Sequence, residues 1–356
     1  MAPNAGSEIV PQLNRDTSWP VWGQAAAVAD LDAAVRRGPG HAYILSGPAQ
    51  SGRRLSALEF ARALCCTNPG PEGQSCRGCS ICGRIERGVF PDVTVFDLAS
   101  QAARDNDKSK NLTLNISTVR DISAAVAYRP AEAQWRVVIV DDAETMQETA
   151  QEAFLKTLEE PPSYVVLILL ATDIETLLPT IISRCRVVRF GSSSPFEIRA
   201  ALEASDVEPD RASHISDVAE GSMGWAFDSA NDVSLVEVRV AAWQEVVDFV
   251  LADAYQRVVR AVLMADEFTK AREVVFARLH LLQAVWRSVL YVQQGVETSS
   301  LNKGVASRLD GFQGASSEDL VRAIRAVDTC VANLEANVRP RLAMESMVTA
   351  WPRVGL

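Results

Sequence analysis

Residues 42–54 read AYILSGPAQSGRR. An apolar run, Ala42–Ser46, enters Gly47, and Leu55, Leu58, Ala61, Leu64 and Cys65 then recur at helical spacing. Strand, glycine loop and helix in that order are the local context of a phosphate-binding loop, G-x-x-x-x-G-K-[ST]. Gly47 and Gly52 stand at the required separation, but Arg53 replaces the lysine and Arg54 the hydroxyl residue. In a working loop the backbone N–H groups cradle phosphates, the lysine neutralises them and the hydroxyl ligates Mg²⁺. Arg53 can still meet a phosphate. Arg54 cannot ligate a metal, and it adds positive charge where the ion would sit.

A second element follows the same logic. VVIVDDAE at 137–144 has the form of an apolar strand ending in a magnesium-binding Asp141. Asp142 stands where a glutamate orients the attacking water; it is one carbon shorter and falls short by about a bond length. The plainer alternative for two aspartates after a strand is a solvated strand end. Val93–Leu98, Tyr164–Ala171 and Val187–Phe190 read as further strands, and Ile116–Ala127 and Met146–Leu158 as helices, the latter stopped by Pro161-Pro162. RDNDKSKN at 104–111 reads as a polar loop. The alternation predicts a parallel α/β sheet covered on both faces.

Strand signals vanish after Phe190. GSSSP at 191–195 reads as a linker, and 195–232 as two or three short helices around EGSMGWAF. Long amphipathic runs follow over Glu237–Met264, Glu267–Gln294, Ser317–Ala336 and Pro340–Ala350. Ser316 with Asp319 suits a capping box, and Pro340 a first helical position. The expected organisation is a flexible tail at 1–18, a nucleotide-fold domain at 19–190, a helical lid at 191–234 and an all-α domain at 235–356. Trp243, Phe249, Trp286 and Leu290 lie on more than one helical face, so they are candidates for a partner surface as well as for the bundle's own core.

Four of the seven cysteines crowd together as Cys66, Cys76, Cys79 and Cys82. Four thiolates with C-x2-C spacing suit tetrahedral structural zinc, in a module at about 65–90. An iron–sulfur site begins similarly, but the fourth cysteine and proline expected after Cys82 are missing; four unrelated buried thiols are the third reading. With four protein ligands a metal has no open position for catalysis. Cys65 falls on the helix's apolar face and reads as core.

The chain has 356 residues, 48% hydrophobic and 22% charged, with a net charge of −10. Such an acidic balance disfavours broad contact with DNA, so any nucleic-acid contact must be local or shared with more basic partners. The N-terminus does not read as a signal peptide, no run is long enough to span a membrane, and a cytoplasmic location is expected.

Several motifs together resemble the bacterial clamp-loader subunits of the AAA+ family, most of all the delta-prime branch of DNA polymerase III. They are VWGQ (21–24), YILSGPAQSGRR (43–54), the cysteine cluster, FPDV (90–93), RVVIVDDAETM (136–146), AFLKTLEEPP (153–162), ATDIETLLPTIISRC (171–185), GSMGWA (221–226) and NVRPRLAMES (337–346). The resemblance implies a nucleotide-fold domain, a lid, and a helical collar that joins five subunits into a ring. It implies partnership with motor (gamma/tau) and delta subunits, and loading of a sliding clamp onto primed DNA as part of the polymerase III holoenzyme, a DNA-directed DNA polymerase. It also implies that Arg184, in Ser183-Arg184-Cys185, points into the neighbouring subunit's ATP site as a trans-acting arginine finger. The lid motif of the motors offers an arginine to nucleotide where Gly224 and Trp225 stand here. With the phosphate loop also altered, the resemblance implies a non-catalytic stator holding structural Zn²⁺ and binding no ATP/Mg²⁺ productively. The alternatives are an active gamma/tau-like motor and a generic zinc-containing nucleic-acid binder.

Overall fold

The computed structural model describes residues 19–105, 113–295 and 315–353, together with residues 9, 11, 12, 14 and 308. It divides into two compact units, Met1–Asn231 and Asp232–Leu356. Most of the polar loop expected at 104–111 lies outside the described residues; Arg104 and Asp105 end a helix.

The first unit is built on five parallel strands: β1 (Ala42–Ser46), β2 (Val93–Phe96), β3 (Arg136–Val140), β4 (Val165–Ala171) and β5 (Arg186–Arg189), in the order β2-β3-β4-β1-β5. Every residue of β1 and β4 is buried. The period-two alternation of strand side chains explains why a continuous apolar run is needed there. Tyr43, Leu45, Val137, Ile139, Ile168 and Leu170 face one apolar cluster, with α1 (Ala25–Arg37) and α2 (Arg53–Cys65). Ala42, Ile44, Val138, Val140, Leu167 and Leu169 face the other, with residues of Ile116–Ala127 and Glu148–Glu159. The expected α/β class with a separate all-α part is the observed one, a parallel sheet covered on both faces.

Three short helices, Pro195–Ala204, Pro209–Val218 and Met223–Asn231, complete the first unit. Ser194 and Glu197 form a capping box on the first of them. Part of the stretch expected to be a flexible tail is tied down. The Ile9 N–H donates to Asn231 Oδ1 at 2.6 Å, and Asn231 Nδ2 returns a bond to the Ile9 carbonyl at 2.9 Å.

The second unit is helical throughout its described residues: Ser234–Leu251, Ala254–Phe268, Arg272–Gln293, Ser317–Glu335 and Pro340–Thr349. The single run expected over Glu237–Met264 is two helices, because Asp253 caps the second through the Gln256 N–H. The capping box at Ser316 and Asp319 forms as expected. Trp243, Phe249 and Trp286 are at most 4% exposed and Leu290 packs partly buried beside them, so these four fill the bundle's own core. The apolar side chains left outside include Val238, on the helix of Trp243 and Phe249, and Val274, Tyr291 and Val292, on the helix of Trp286 and Leu290. Helical spacing places both sets on faces of the same helices; only packing decides which face is inward. Among the described residues no helix is long and apolar enough to cross a membrane.

Candidate functional site

The loop after β1 lies at the carboxyl end of the sheet, where strand order reverses between β4 and β5, the usual ligand crevice of parallel α/β folds. Gly47 has φ +150°, and a Cβ there would come within 2.3 Å of the Phe190 carbonyl oxygen, so only glycine lets the chain leave β1 past the end of β5. Gly52, at φ +95°, is the N-cap of α2 and leaves the helix without a side-chain cap. The first-turn amides of α2 therefore remain available at the mouth of the loop.

The two arginines part company. Arg54 turns to the strand ends: its Nη1 lies 2.7 Å from Asp141 Oδ2 and 3.2 Å from Asp97 Oδ2. The guanidinium thus stands against the carboxylate that would hold Mg²⁺. Burial works against the charged form of Arg54, but Asp141 and Asp97 outweigh it and hold its pKa above the usual value. For Asp97, burial is likewise overcome, by the Ser100 N–H and hydroxyl and by Arg54, and its pKa is lowered. Arg53 makes no such pair. Its Nη1 is buried without a hydrogen-bond partner, and desolvation lowers its pKa against the opposing pull of Glu144, Asp141 and Asp142.

Asp142 adopts a left-handed backbone, φ +55°. Burial and the neighbouring Asp141 charge raise its pKa. Glu144 accepts from the Thr172 hydroxyl, and its other carboxylate oxygen is buried without a partner. The site thus gathers four carboxylates around two guanidinium groups.

The lid closes on this loop through Gln50. Its carbonyl accepts from the Gly224 N–H at 2.8 Å, its side-chain amide donates to Asp228 at 3.1 Å, and its side-chain oxygen accepts from Ser222 at 3.1 Å. A Cβ on Gly224 would lie 2.9 Å from the Gln50 Cβ. Glycine at 224 is therefore what lets the helix Met223–Asn231 touch the loop. Between lid and loop lies a cavity of about 450 Å³, with Val21, Met223 and Phe227 on its apolar side and Arg53, Arg54 and Asp141 on its polar side.

Arg184 lies elsewhere. It follows the short helix Pro179–Ile182 and precedes β5, at the amino end of the strands, whereas the phosphate-type loop follows the carboxyl end of β1. Strands of this length span roughly 13 Å, so Arg184 cannot serve its own chain's loop. Its guanidinium is partly exposed and bonds Glu159 Oε1 at 2.8 Å and the Thr180 carbonyl at 3.0 Å.

The Sγ atoms of Cys66, Cys76, Cys79 and Cys82 lie within 4.8 Å of one another. The N–H groups of Cys76, Cys79 and Cys82 donate to the sulfurs of Cys66, Cys76 and Cys79 at 3.3–3.4 Å. Burial raises the Cys79 thiol, but the Cys82 N–H and Thr67 outweigh it and bring it to about 6. Burial and the adjoining thiols push Cys82 up. Thiolates so close oppose each other's ionisation, and a divalent cation relieves that opposition. Ideal tetrahedral zinc sets sulfurs about 3.8 Å apart, so the cluster could hold such an ion. Cys65 lies in the core as expected, its thiol pushed up to about 12 by burial.

Three contributors were missed from sequence. Asp97 follows a short apolar strand just as Asp141 does, and that parallel was the available signal. Glu59 breaks the apolar face of α2; it is buried and bonded to Ser75 at 2.5 Å, Arg77 at 2.7 Å and Arg62 at 3.3 Å, tying the cysteine segment to the helix. Gln50 occupies a variable position of the loop and carried no signal.

Residues 23–194 match the family model described as DNA polymerase III, delta subunit. Among curated proteins, the chain is similar to the DNA polymerase III subunit gamma of Buchnera aphidicola, 34% identical over 41% of this chain and 37% of that protein. It is also similar to the subunit tau of Bacillus subtilis, 35% identical over 41% of this chain and 24% of that protein. The matched segment spans less than half the length of either. Among solved structures, a gamma-subunit-related protein of Thermotoga maritima aligns with TM-score 0.42 and 18% identity over 90% of this chain and 97% of that one, a likeness too distant to carry function.

Proposed function

We propose that the chain is a non-catalytic, delta-prime-type subunit of a DNA polymerase III clamp loader. In this reading it holds one structural zinc at Cys66, Cys76, Cys79 and Cys82, assembles with gamma/tau and delta subunits, and helps load a sliding clamp onto primed DNA. Arg184 then acts in trans on a neighbour's ATP. The observation that carries the reading is the pairing of Arg54 with Asp141 and Asp97. A guanidinium held by the metal's own carboxylates leaves Mg²⁺ no ligand set, and without Mg²⁺ and a water-orienting glutamate in-line hydrolysis has neither its cation nor its nucleophile.

Arg184 supports the second half of the proposal. An arginine at the sheet edge away from its own loop, partly exposed and held by a surface glutamate, is available to another subunit. Its planar fork suits two oxygens of a transferring phosphoryl group, and such a residue is worth roughly 10³–10⁵ in rate in well-studied NTPases. The gamma and tau names of the relatives favour an active motor as the second reading.

The test is reconstitution with gamma/tau, delta, clamp and primed DNA. The chain alone should release no phosphate from ATP, and Arg184→Ala should leave assembly intact while lowering the complex's clamp-stimulated ATPase by one site's share. Turnover by the chain alone that Asp141→Ala abolishes would establish the motor instead. A normal ATPase rate with Arg184→Ala would remove the trans role.

A further inference from the structure

Arg184 is anchored at two points by its own chain. Its Nη1 donates to the Thr180 carbonyl at 3.0 Å and reaches the Ser183 hydroxyl at 3.5 Å, while its Nη2 donates to Glu159 Oε1 at 2.8 Å. The anchors come from separate elements. Thr180 belongs to the short helix Pro179–Ile182, whereas Glu159 is the last residue of the helix Glu148–Glu159, 25 residues from Arg184 in the chain. A planar guanidinium gripped through both terminal nitrogens is fixed in its plane.

The grip does not exhaust the side chain. A guanidinium has five N–H groups, and these contacts take at most three of them. At least two therefore remain for an acceptor from outside, on a side chain that is 35% exposed. Glu159 sits where an acid is locally disfavoured, because the last turn of a helix already carries partial negative charge. Only the arginine brought in from the next strand connection offsets that. An ion pair this exposed adds little to folding stability. What it does supply is geometry: it holds a long side chain, rich in rotamers, in one orientation.

We propose that Glu159 is a positioning residue, which aims the free edge of the Arg184 fork at the transferring phosphoryl group of a neighbouring subunit's ATP. The proposal rests on the trans role of Arg184 given above. Without Glu159 the guanidinium keeps only the Thr180 side of its anchorage, and part of the preorganisation that makes such a donor effective is lost.

The test uses the complex with gamma/tau, delta, clamp and primed DNA. The share of ATPase that Arg184→Ala removes is the signal. Glu159→Ala should slow that share about fivefold, the scale of one exposed ion pair, with thermal midpoint and assembly unchanged. Glu159→Gln, which keeps a side-chain oxygen for Nη2, should restore most of it. Adding Glu159→Ala to Arg184→Ala should change nothing further, an outcome that a general effect on the fold would not give. A full rate with Glu159→Ala, an equal loss in the two backgrounds, a shifted midpoint, or a Gln variant no better than Ala would each overturn the proposal. A faster complex with either variant would show that Glu159 restrains the arginine instead of aiming it, and would overturn it too. These failures leave the trans role standing if Arg184→Ala still lowers the rate; a normal rate with Arg184→Ala removes both.

Discussion

Helix Arg53–Cys65 has a cation-seeking site at each end, and the two have been resolved in opposite ways. At its amino end, carboxylates placed to hold a metal are instead paired with Arg54. At its carboxyl end four thiols converge within 4.8 Å, and the nearby Arg77 is paired with Glu59 instead. One end carries its cation covalently and no longer needs an ion; the other keeps every donor and still calls for one. The ends of a thirteen-residue helix lie about 20 Å apart, so changes at one should add independently to changes at the other. The comparison teaches that a pair of carboxylates closed by an arginine and an open set of four metal-donor thiols can coexist at the two ends of a single element.

The largest expected effect is at the cysteine end. Structural zinc is worth about 10–16 kcal/mol of apparent binding free energy in small zinc-dependent folds. Cys79→Ser should release the metal and open residues 66–82 to protease. Protein purified without chelator that contains no zinc by elemental analysis, or a variant as protease-resistant as the parent, would break the comparison at its stronger end.

Glu59 is next. It is buried on α2 and joins Arg62, Ser75 and Arg77. Removing one partner of a buried ionic cluster strands the others, typically at 3–5 kcal/mol. Glu59→Ala should therefore lower stability in urea by about that amount and loosen the cysteine segment even with metal bound. A loss below about 1 kcal/mol would mean that the ion alone organises the module.

A smaller and subtler effect separates two carboxylates, one just before the amino end of β2 and one just after the carboxyl end of β3. Asp92, wholly buried, accepts from the N–H groups of Ala131, Glu132 and Ala133 at 2.7–2.8 Å. Burial opposes its ionisation, but these bonds and Arg136 prevail and lower its pKa. Its contribution is present above the unfolded value near 3.9 and is lost as pH falls through the lower folded value. Asp142 is raised, so its ionised form is a burden at neutral pH; that burden is relieved as pH falls through the raised folded value towards the unfolded one. Asp92→Asn should cost about 3 kcal/mol at pH 7, the scale of hydrogen bonds to a charged group, with the deficit shrinking only in strong acid. Asp142→Asn should be neutral or stabilising at pH 7, with the difference fading on mild acidification. Urea melts across pH read both, and a parallel response of the two variants would show that the sites do not differ in the stated way.

The sequence by itself determined the elements and the local chemistry. The three inner strands, β1, β3 and β4, announce themselves as apolar runs because a parallel sheet buries both faces, whereas the edge strands β2 and β5 are shorter and only partly buried. The spacing of Cys66, Cys76, Cys79 and Cys82 is legible because a metal module is local in the chain, and Gly47 and Gly52 because the loop's geometry excludes a side chain. The departures at Arg53 and Arg54 were readable as losses. What Arg54 does instead was not, because Asp97 and Asp141 lie 43 and 87 residues away and meet it only when strands non-adjacent in sequence order are laid side by side. The same holds for Gln50 on Gly224, and for the inward turn of Trp243 and Trp286. Periodicity names the faces of an element. Which face is buried, and which distant charge an arginine finds, depends on the packing of elements far apart in the chain, and only the tertiary structure decided it.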